Sequence, residues 1–576
     1  MRDEDAGHQL RKWLLASDVD RRRFLGVASA GAAALVFGRG PYTTETLASQ
    51  KFADYPFQLG VASGDPLPDG VVLWTRLAPK PLDVSGGGGM KSVRVPVRWE
   101  VAEDERFRTV VRAGTTSAYP ELAHSVHVEV SGLQPDRWYF YRFSAGNEIS
   151  PVGRTKTAPA PGASLQRFNF AFASCQMYTE GYFTAYDHMV NEDLDLVVHL
   201  GDYIYEYGIP SNGGYRNQPT VLPDYLITEP VTLDRYRLQH AVYRSEAPLQ
   251  AAHAAFPWIV TWDDHEVENN HAGLVPEVGS QTPTLEEFLV RRANAYRAYY
   301  EHMPLRRSSV PAGPDMQLYR RLRYGTLAEF NVLDTRQYRD DQAAGDGNDP
   351  PNPESLDPSR TLTGAAQEAW LLDGLAASTT TWKVIAQQVF MAQRDFGADD
   401  AVLFSMDAWD GYAPNRDRIL GAIAEGSIAN PVVLTGDVHA NYANNLKANF
   451  DDPASPTIGV EFVGTSIATG RDGADTSPSG DRILAENPHI RFFNGQRGYV
   501  RCTVTPQAWQ SDYRVVPYVT QPGGEIHTRA SFVTEAGNPG LQLADHNAVP
   551  TLPESAFETE EERRVKDERL GRGPTA

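Results

Sequence analysis

Only two of the 576 residues are cysteine, Cys175 and Cys502, whose spacing leaves their pairing open, and the length together with 41% hydrophobic residues provides for a large core. An excess of positive charge is missing too. Against 74 Asp plus Glu stand 53 Lys plus Arg, a formal net charge of −21 that repels nucleic-acid backbones and argues against nucleic acid as the main partner. The longest apolar run, residues 24–38, holds 15 residues. That is short of the roughly 20 that cross a bilayer, so no membrane span is expected. Common catalytic signatures are also absent. The segment His265-Glu266-Val267-Glu268-Asn269 begins like a zincin helix but has Asn269 where the second imidazole belongs. There is no Gly-x-Ser-x-Gly elbow. The glycines at 86–89, followed by Met90-Lys91, lack the strand, spacing and Ser or Thr of a P-loop and read as a hairpin tip. No internal repeat is present.

What the sequence does have is four polar segments, each after an apolar run. Residues 168–172 precede Ser174-Cys175, and residues 194–200 precede Gly201-Asp202-Tyr203-Ile204-Tyr205-Glu206. Residues 258–262 precede Asp263-Asp264-His265-Glu266, and residues 431–435 precede Gly436-Asp437-Val438-His439. Each segment reads as a loop at the C-terminal end of a buried strand, where open α/β sheets place ligand sites. A thiol, carboxylates, a phenol and imidazoles gathered on one sheet edge suggest bound metal. Asp202 and Tyr205, three apart on a strand-to-helix turn, can face one ion, and a phenolate is a hard donor that favours trivalent iron. A site for that ion can be assembled from Cys175, Asp202, Tyr205 and His439. Asp263, Asp264, Asn269 and Asp437 then remain as oxygen donors of the kind calcium or magnesium takes. Taken singly, each motif has a plain reading as a buried cysteine, a Gly-Asp turn or acids at a helix N-terminus. Four of them, each at the end of an apolar run, argue for a site.

Phe172-Ala173-Ser174-Cys175, Gly201 through Glu206, Thr261-Trp262-Asp263-Asp264-His265-Glu266, Leu333-Asp334-Thr335-Arg336-Gln337-Tyr338-Arg339 and Thr435-Gly436-Asp437-Val438-His439 carry a resemblance that covers nearly the whole chain. They resemble the PhoD family of secreted alkaline phosphatases and phosphodiesterases, which includes calcium-stimulated phospholipase D enzymes of actinobacteria. The resemblance implies a site like that of purple acid phosphatases, with Fe3+ and one or two Ca2+. By it, Cys175, Asp202, Tyr205 and His439 hold the iron and Asp202 bridges to calcium. Asp264 and Asp437 are the foremost further ligands, with Asp263 and Asn269 after them. It also implies an α/β, metallophosphoesterase-like two-sheet sandwich flanked by helices. The expected activity is hydrolysis of phosphate monoesters, as an alkaline phosphatase, by attack of a metal-bound water or hydroxide at alkaline pH. The alternative is phosphodiesterase or phospholipase D action on phospholipid or wall teichoic acid diesters. His265 is expected to protonate the leaving alkoxide or to bind a phosphate oxygen, and Arg244 to clamp a phosphate oxygen. Residues 334–339 are assigned to support or substrate contact rather than metal. A calcium-binding adhesion module without catalysis is a third reading, supported only by the β-rich N-terminal part and the acidity.

Arg21-Arg22-Arg23-Phe24-Leu25, followed by the mildly apolar residues 26–38, looks like a twin-arginine signal, with Thr46-Leu47-Ala48 as a cleavage site. Residues 1–48 are therefore expected to be a signal peptide read by the twin-arginine export machinery, giving a secreted protein, extracellular or periplasmic. Residues 55–158 alternate apolar and polar in short runs and resemble an all-β fibronectin-type sandwich. A Pro and Gly stretch at 158–163 marks a boundary, after which residues 164–517 form the catalytic domain and 518–576 a C-terminal extension. Within the catalytic domain, helices are expected at 285–301, 364–378 and 415–425, and strands at 318–324, 329–334, 383–389, 432–435 and 458–463. Polar loops at 209–228 and 340–358 are long enough to suggest substrate control. Residues 558–569 are expected either as a short solvated helix or as disordered chain.

Overall fold

The computed structural model describes residues 51–216, 221–398, 401–452 and 454–547. The twin-arginine segment, its cleavage site and residues 558–569 lie outside the described residues.

Six strands set the frame, and their sequences explain their place. Phe168–Ala173, Leu196–His199 and Pro257–Val260 run parallel to one another, as do Ala328–Val332, Trp382–Ala386 and Pro431–Thr435. Every residue in these six is buried. Parallel strands covered on both faces read as continuous apolar runs rather than alternating ones, which is the pattern seen here. Each group is extended on one side by an antiparallel strand and on the other by a further parallel one, Val61–Leu67 beside Pro257–Val260 and Thr457–Val463 beside Pro431–Thr435. The first group lies within a ten-stranded sheet that runs from Asn538–His546 at one edge to Ser125–Val130 at the other. The second lies within a seven-stranded sheet that runs from Arg320–Tyr324 to Ile490–Asn494.

The two sheets share one core, in which Phe170, Phe172 and Val198 meet Phe330, Val384 and Leu434. Helices Leu233–Arg244, Ala247–Ala255 and Leu285–His302 cover the outer face of the first sheet around Trp258, Tyr236 and Tyr296. Helices Gly364–Ala377 and Ala413–Glu425 cover the second around Ile385, Leu371 and Ile419. The result is a mixed α/β fold layered helix, sheet, sheet, helix. The long helix Leu285–His302 starts on a capping box, in which the Thr284 hydroxyl accepts from the Glu287 N–H while the Glu287 carboxylate accepts from the Thr284 N–H.

The three expected helices form, as Leu285–His302, Gly364–Ala377 and Ala413–Glu425, and so do the five expected strands. The first sheet runs across both expected domain boundaries. Residues 55–158 do form a sandwich around Val71, Val97 and Tyr141, but three of its strands belong to the ten-stranded sheet. Ser63 and Gly64 pair in parallel with Pro257 and Trp258, which joins the N-terminal part to the catalytic part by main-chain hydrogen bonds. The boundary at 158 therefore divides the chain without dividing the sheet. The boundary at 517 is overrun in the same way, because His527–Glu535 and Asn538–His546 complete the opposite edge of the first sheet. Among the described residues, no helix is long and apolar enough to cross a membrane.

Candidate metal centre

The loops after the parallel strands of both sheets converge. Cys175, Asp202 and His439 each bring one donor atom within 4.8 Å of the others. The Tyr205 hydroxyl donates to Asp202 Oδ2 at 2.8 Å, lies 3.2 Å from His439 Nε2 and accepts from Thr469 Oγ1 at 2.9 Å. Cys175, Asp202, Asp437 and His439 all hold a left-handed backbone, with φ of 57°, 55°, 63° and 54°. Non-glycine residues are uncommon there, and each such conformation costs on the order of 1 kcal/mol or more. Specific hydrogen bonds keep the strained turns in place. The Cys175 N–H donates to the Gly201 carbonyl and the Gln176 N–H to the Asp202 carbonyl, both at 3.1 Å. The buried Glu266 carboxylate accepts from the N–H groups of Asp202 at 3.1 Å, Tyr203 at 2.7 Å and Asp263 at 2.9 Å, tying two strand ends together. Arg497 donates to the carbonyls of His439, Gly470 and Arg471 and so fixes the main chain behind the His439 imidazole. Gly201, with φ of +111°, has to be glycine, because a Cβ there would lie 2.5 Å from the Asp263 nitrogen.

Beside this group lies a more acidic one. Asp202, Asp264 and His265 also bring donor atoms within 4.8 Å of one another. His265 Nδ1 is 2.7 Å from the Glu206 carboxylate, and Glu206 in turn accepts the Asn269 N–H at 2.9 Å. Asp263, Asp264 and Asp437 surround the guanidinium of Arg336, whose Nε donates to Asp263 Oδ1 at 2.5 Å. Burial raises Asp437 to about 6, and nearby Asp407 adds to the rise. Asp264 is held well below the usual carboxylate range because Arg336 and His265 outweigh its burial. Burial would lower His265, but Glu206, Asp264 and Asp202 hold it well above the ordinary imidazole value. Burial, followed by the charge on Asp202, pushes the Cys175 thiol and the Tyr205 phenol well above their usual values. Burial takes His439 down to about 3, which leaves it neutral and able to donate an electron pair.

These donors fit metal cations. Asp202 Oδ1, Asp263 Oδ2 and Asp264 Oδ1 are buried with no hydrogen-bond partner, a costly state for carboxylate oxygens unless a cation meets them. A thiol, a phenol, an imidazole and a carboxylate at one point suit a trivalent iron, and the carboxylates next to them suit a hard divalent ion.

Most of the residues singled out from the sequence come together here. Cys175, Asp202, Tyr205 and His439 form the first group, and Asp263, Asp264 and Asp437 stand around Arg336. His265 packs on Tyr205 with ring centroids 4.2 Å apart. Asn269 lies at the edge, where its amide nitrogen is 3.2 Å from Glu277 Oε1. Arg244 is the exception and corrects the expected phosphate clamp. It is fully buried over the Trp74 ring and donates to the Tyr203 hydroxyl and the Leu59 carbonyl, so no phosphate reaches it. Sequence reasoning gave no role to Glu206, Glu266, Asp407, Thr469 or Arg497. Glu206 and Glu266 stand inside the motifs, and their position was the available signal.

Fold and site together define a sheet-rich α/β protein with a buried, thiol-bearing and acidic centre suited to cations. The chain belongs to the PhoD-like phosphatase family: the family model of that description matches residues 170–513, and the model of its N-terminal domain matches residues 43–159. Over 551 residues it is 55% identical to alkaline phosphatase D of Bacillus subtilis (strain 168), covering 94% of this chain and 92% of that protein. A solved structure of PhoD superposes with a TM-score of 0.84 at 56% identity, covering 91% of this chain and 98% of that one.

Proposed function

We propose that this chain is a metal-dependent phosphoesterase of the alkaline phosphatase kind, with phosphate monoesters as its substrates and a metallophosphoesterase-like double sheet as its frame. The observation that carries this is the pair of adjoining donor groups, Cys175, Tyr205 and His439 around Asp202 and the carboxylates around Asp264, with three buried oxygens left unpartnered in a PhoD-like phosphatase. In this reading Cys175, Asp202, Tyr205 and His439 hold Fe3+, while Asp264 and Asp437, with Asp263 and Asn269 beside them, hold Ca2+. Cations held by these residues would supply Lewis acidity toward a phosphate ester and the water that attacks it. The remaining parts are side chains of the protein. His265, held through Nδ1 by Glu206, is oriented with Nε2 left to deliver a proton to the leaving oxygen. Its raised pKa keeps that proton in place to a higher pH than a free imidazole would. Glu266 and Arg497 keep the ligand-bearing turns from relaxing. Export through the twin-arginine pathway is proposed from residues 21–38 alone.

The test is hydrolysis of p-nitrophenyl phosphate beside bis-p-nitrophenyl phosphate at mildly alkaline pH, with calcium and then with a chelator. Faster monoester cleavage, lost on chelation and restored by calcium, is the expected result. Faster diester cleavage would replace the monoester reading with a phosphodiesterase. No cleavage of either would leave a binding module.

A further inference from the structure

Arg336 is the most enclosed charge in the molecule's acidic centre, and the proposed reaction gives it no step. Its side chain has no exposure to solvent. The Nη1 and Nη2 atoms grip Asp407 in a fork, at 2.7 Å to Oδ1 and 2.8 Å to Oδ2. Asp407 is itself anchored by Arg339 Nη1 and Gln342 Nε2, both at 2.7 Å. At the other end, the Arg336 N–H donates to Asp334 Oδ1 at 3.1 Å, so the residue is held by main chain and guanidinium alike. Its Nε–H is directed to Asp263 Oδ1. Its contacts with the other two carboxylates are of a different kind, with Nη2 3.6 Å from Asp264 Oδ1 and 4.0 Å from Asp437 Oδ1. Those separations are too long for hydrogen bonds but short enough for strong attraction in a buried place. The guanidinium thus draws Asp264 and Asp437 inward without occupying them, and Asp264 Oδ1 and Asp263 Oδ2 keep their unpartnered lone pairs.

We infer that Arg336, clamped by Asp407, is the positioning residue for the oxygen-donor half of the site: it holds Asp263, Asp264 and Asp437 in a cation-ready array before a divalent ion arrives. This rests on the metal-site reading above. Without a fixed cation among them, the buried carboxylates of Asp263 and Asp264 and the partly exposed one of Asp437 would repel one another, and the incoming ion would have to gather them. With Arg336 in place the gathering is already done. The fork geometry is essential to the role, because only a planar guanidinium can bond Asp263 and both oxygens of Asp407 at once.

The experiment is calorimetric titration with Ca2+ of the full chain after treatment with a chelator and gel filtration, well below the melting temperature of each variant. Arg336→Met is expected to weaken calcium binding by about tenfold or more, as loss of an orienting partner behind metal ligands does. Arg336→Lys keeps the charge but not the fork, and is also expected to bind calcium more weakly than the unsubstituted chain. Asp407→Asn, which loosens the fork while preserving shape, is expected to lie between. A merely structural role would lower the melting temperature and leave calcium affinity at low temperature unmoved. Calcium binding by Arg336→Met that equals or exceeds that of the unsubstituted chain would overturn the inference, since Arg336 would then be a counter-charge competing with the ion. Should Arg336→Met not fold, unchanged affinity in both Arg336→Lys and Asp407→Asn overturns it equally. Failure of the unsubstituted chain to bind calcium would overturn the calcium reading itself and this inference with it, an outcome separable from the others because it shows before any substitution is made.

Discussion

Replacing Glu206 by Gln removes one charge and little else. Glu206 is buried, its carboxylate lies 2.7 Å from His265 Nδ1, and its other oxygen accepts the Asn269 N–H at 2.9 Å. A glutamine fills nearly the same volume but has a single acceptor oxygen, which can keep the bond to the Asn269 N–H while the amide group turns to His265 Nδ1, so the fold should persist. A hydrogen bond to a charged partner contributes about 1.5–3 kcal/mol. At 1.36 kcal/mol per pKa unit, its loss lowers the His265 pKa by roughly one to two units. The sign follows from the role. In the proposed role His265 can donate only while protonated, and Glu206 is the foremost group raising its pKa, so Glu206→Gln loses the acid form at lower pH. The assay is a pH–rate profile with two substrates, an alkyl phosphate whose alkoxide needs a proton to leave and p-nitrophenyl phosphate whose phenolate does not. The alkaline limb for the alkyl ester should move down by about one to two pH units, and its rate above that limb should fall by about 10- to 100-fold. p-Nitrophenyl phosphate should change little. An unmoved limb, or an equal loss on both substrates, refutes the proton-donor argument and makes Glu206 a structural residue only.

Cys175→Ala and Tyr205→Phe should each abolish turnover while the far-ultraviolet circular dichroism stays that of the parent; full activity in both would remove the iron-site reading. Gly201→Ala places a Cβ 2.5 Å from the Asp263 nitrogen and 2.6 Å from its Cβ at φ of +111°, and should destabilise the fold by about 2 kcal/mol or more in urea titrations. A shift within experimental error would show that the Asp202 turn can yield. Burial lowers His240 to about 3, with Arg76 and Arg244 adding to the effect, and both of its ring nitrogens lack a partner. Because the folded pKa lies below the unfolded value near 6.5, stability from its neutral form is complete above that pH and declines as pH falls toward 3, by about 1.4 kcal/mol per unit. His240→Phe should therefore flatten the fall in melting temperature between pH 6.5 and 5, and an unchanged slope would contradict the argument.

The sheet centres and the clustering of the donor residues were legible because one physical fact produces both. A parallel strand covered on both faces has to be apolar, and the polar residue that follows it has to stand at the sheet's C-terminal edge, so Cys175, Asp202, Asp263 and Asp437 announce themselves. Arg244 misled for the converse reason. The helix Leu233–Arg244 buries Arg235, Arg237, Gln239, His240 and Arg244, so polar character there does not mean a surface or a site. Arg336 could be placed near the site by its motif, but its partner Asp407 lies 71 residues away and only the folded chain joins them. The shared sheet was hidden because the pairing of Ser63 and Gly64 with Pro257 and Trp258 leaves no local mark in either segment. The tie made by Glu266 depends on three main-chain N–H groups, which have no sequence signature at all.

The strand that leads into Cys175 has one neighbour close in sequence and one very far. Phe168–Ala173 pairs in parallel with Leu196–His199, but on its other side Phe168 pairs with Val504. During synthesis that second edge stays bare until nearly the whole chain exists, and a bare edge on so apolar a strand invites pairing with another molecule. A nascent chain stopped before Arg497–Val504 would have made every residue of the donor set and still lack the strand that pairs with the one leading into Cys175. Completion of the centre is thus a late event, and its donor array is backed on both sides only in a molecule whose strand Arg497–Val504 is already in place.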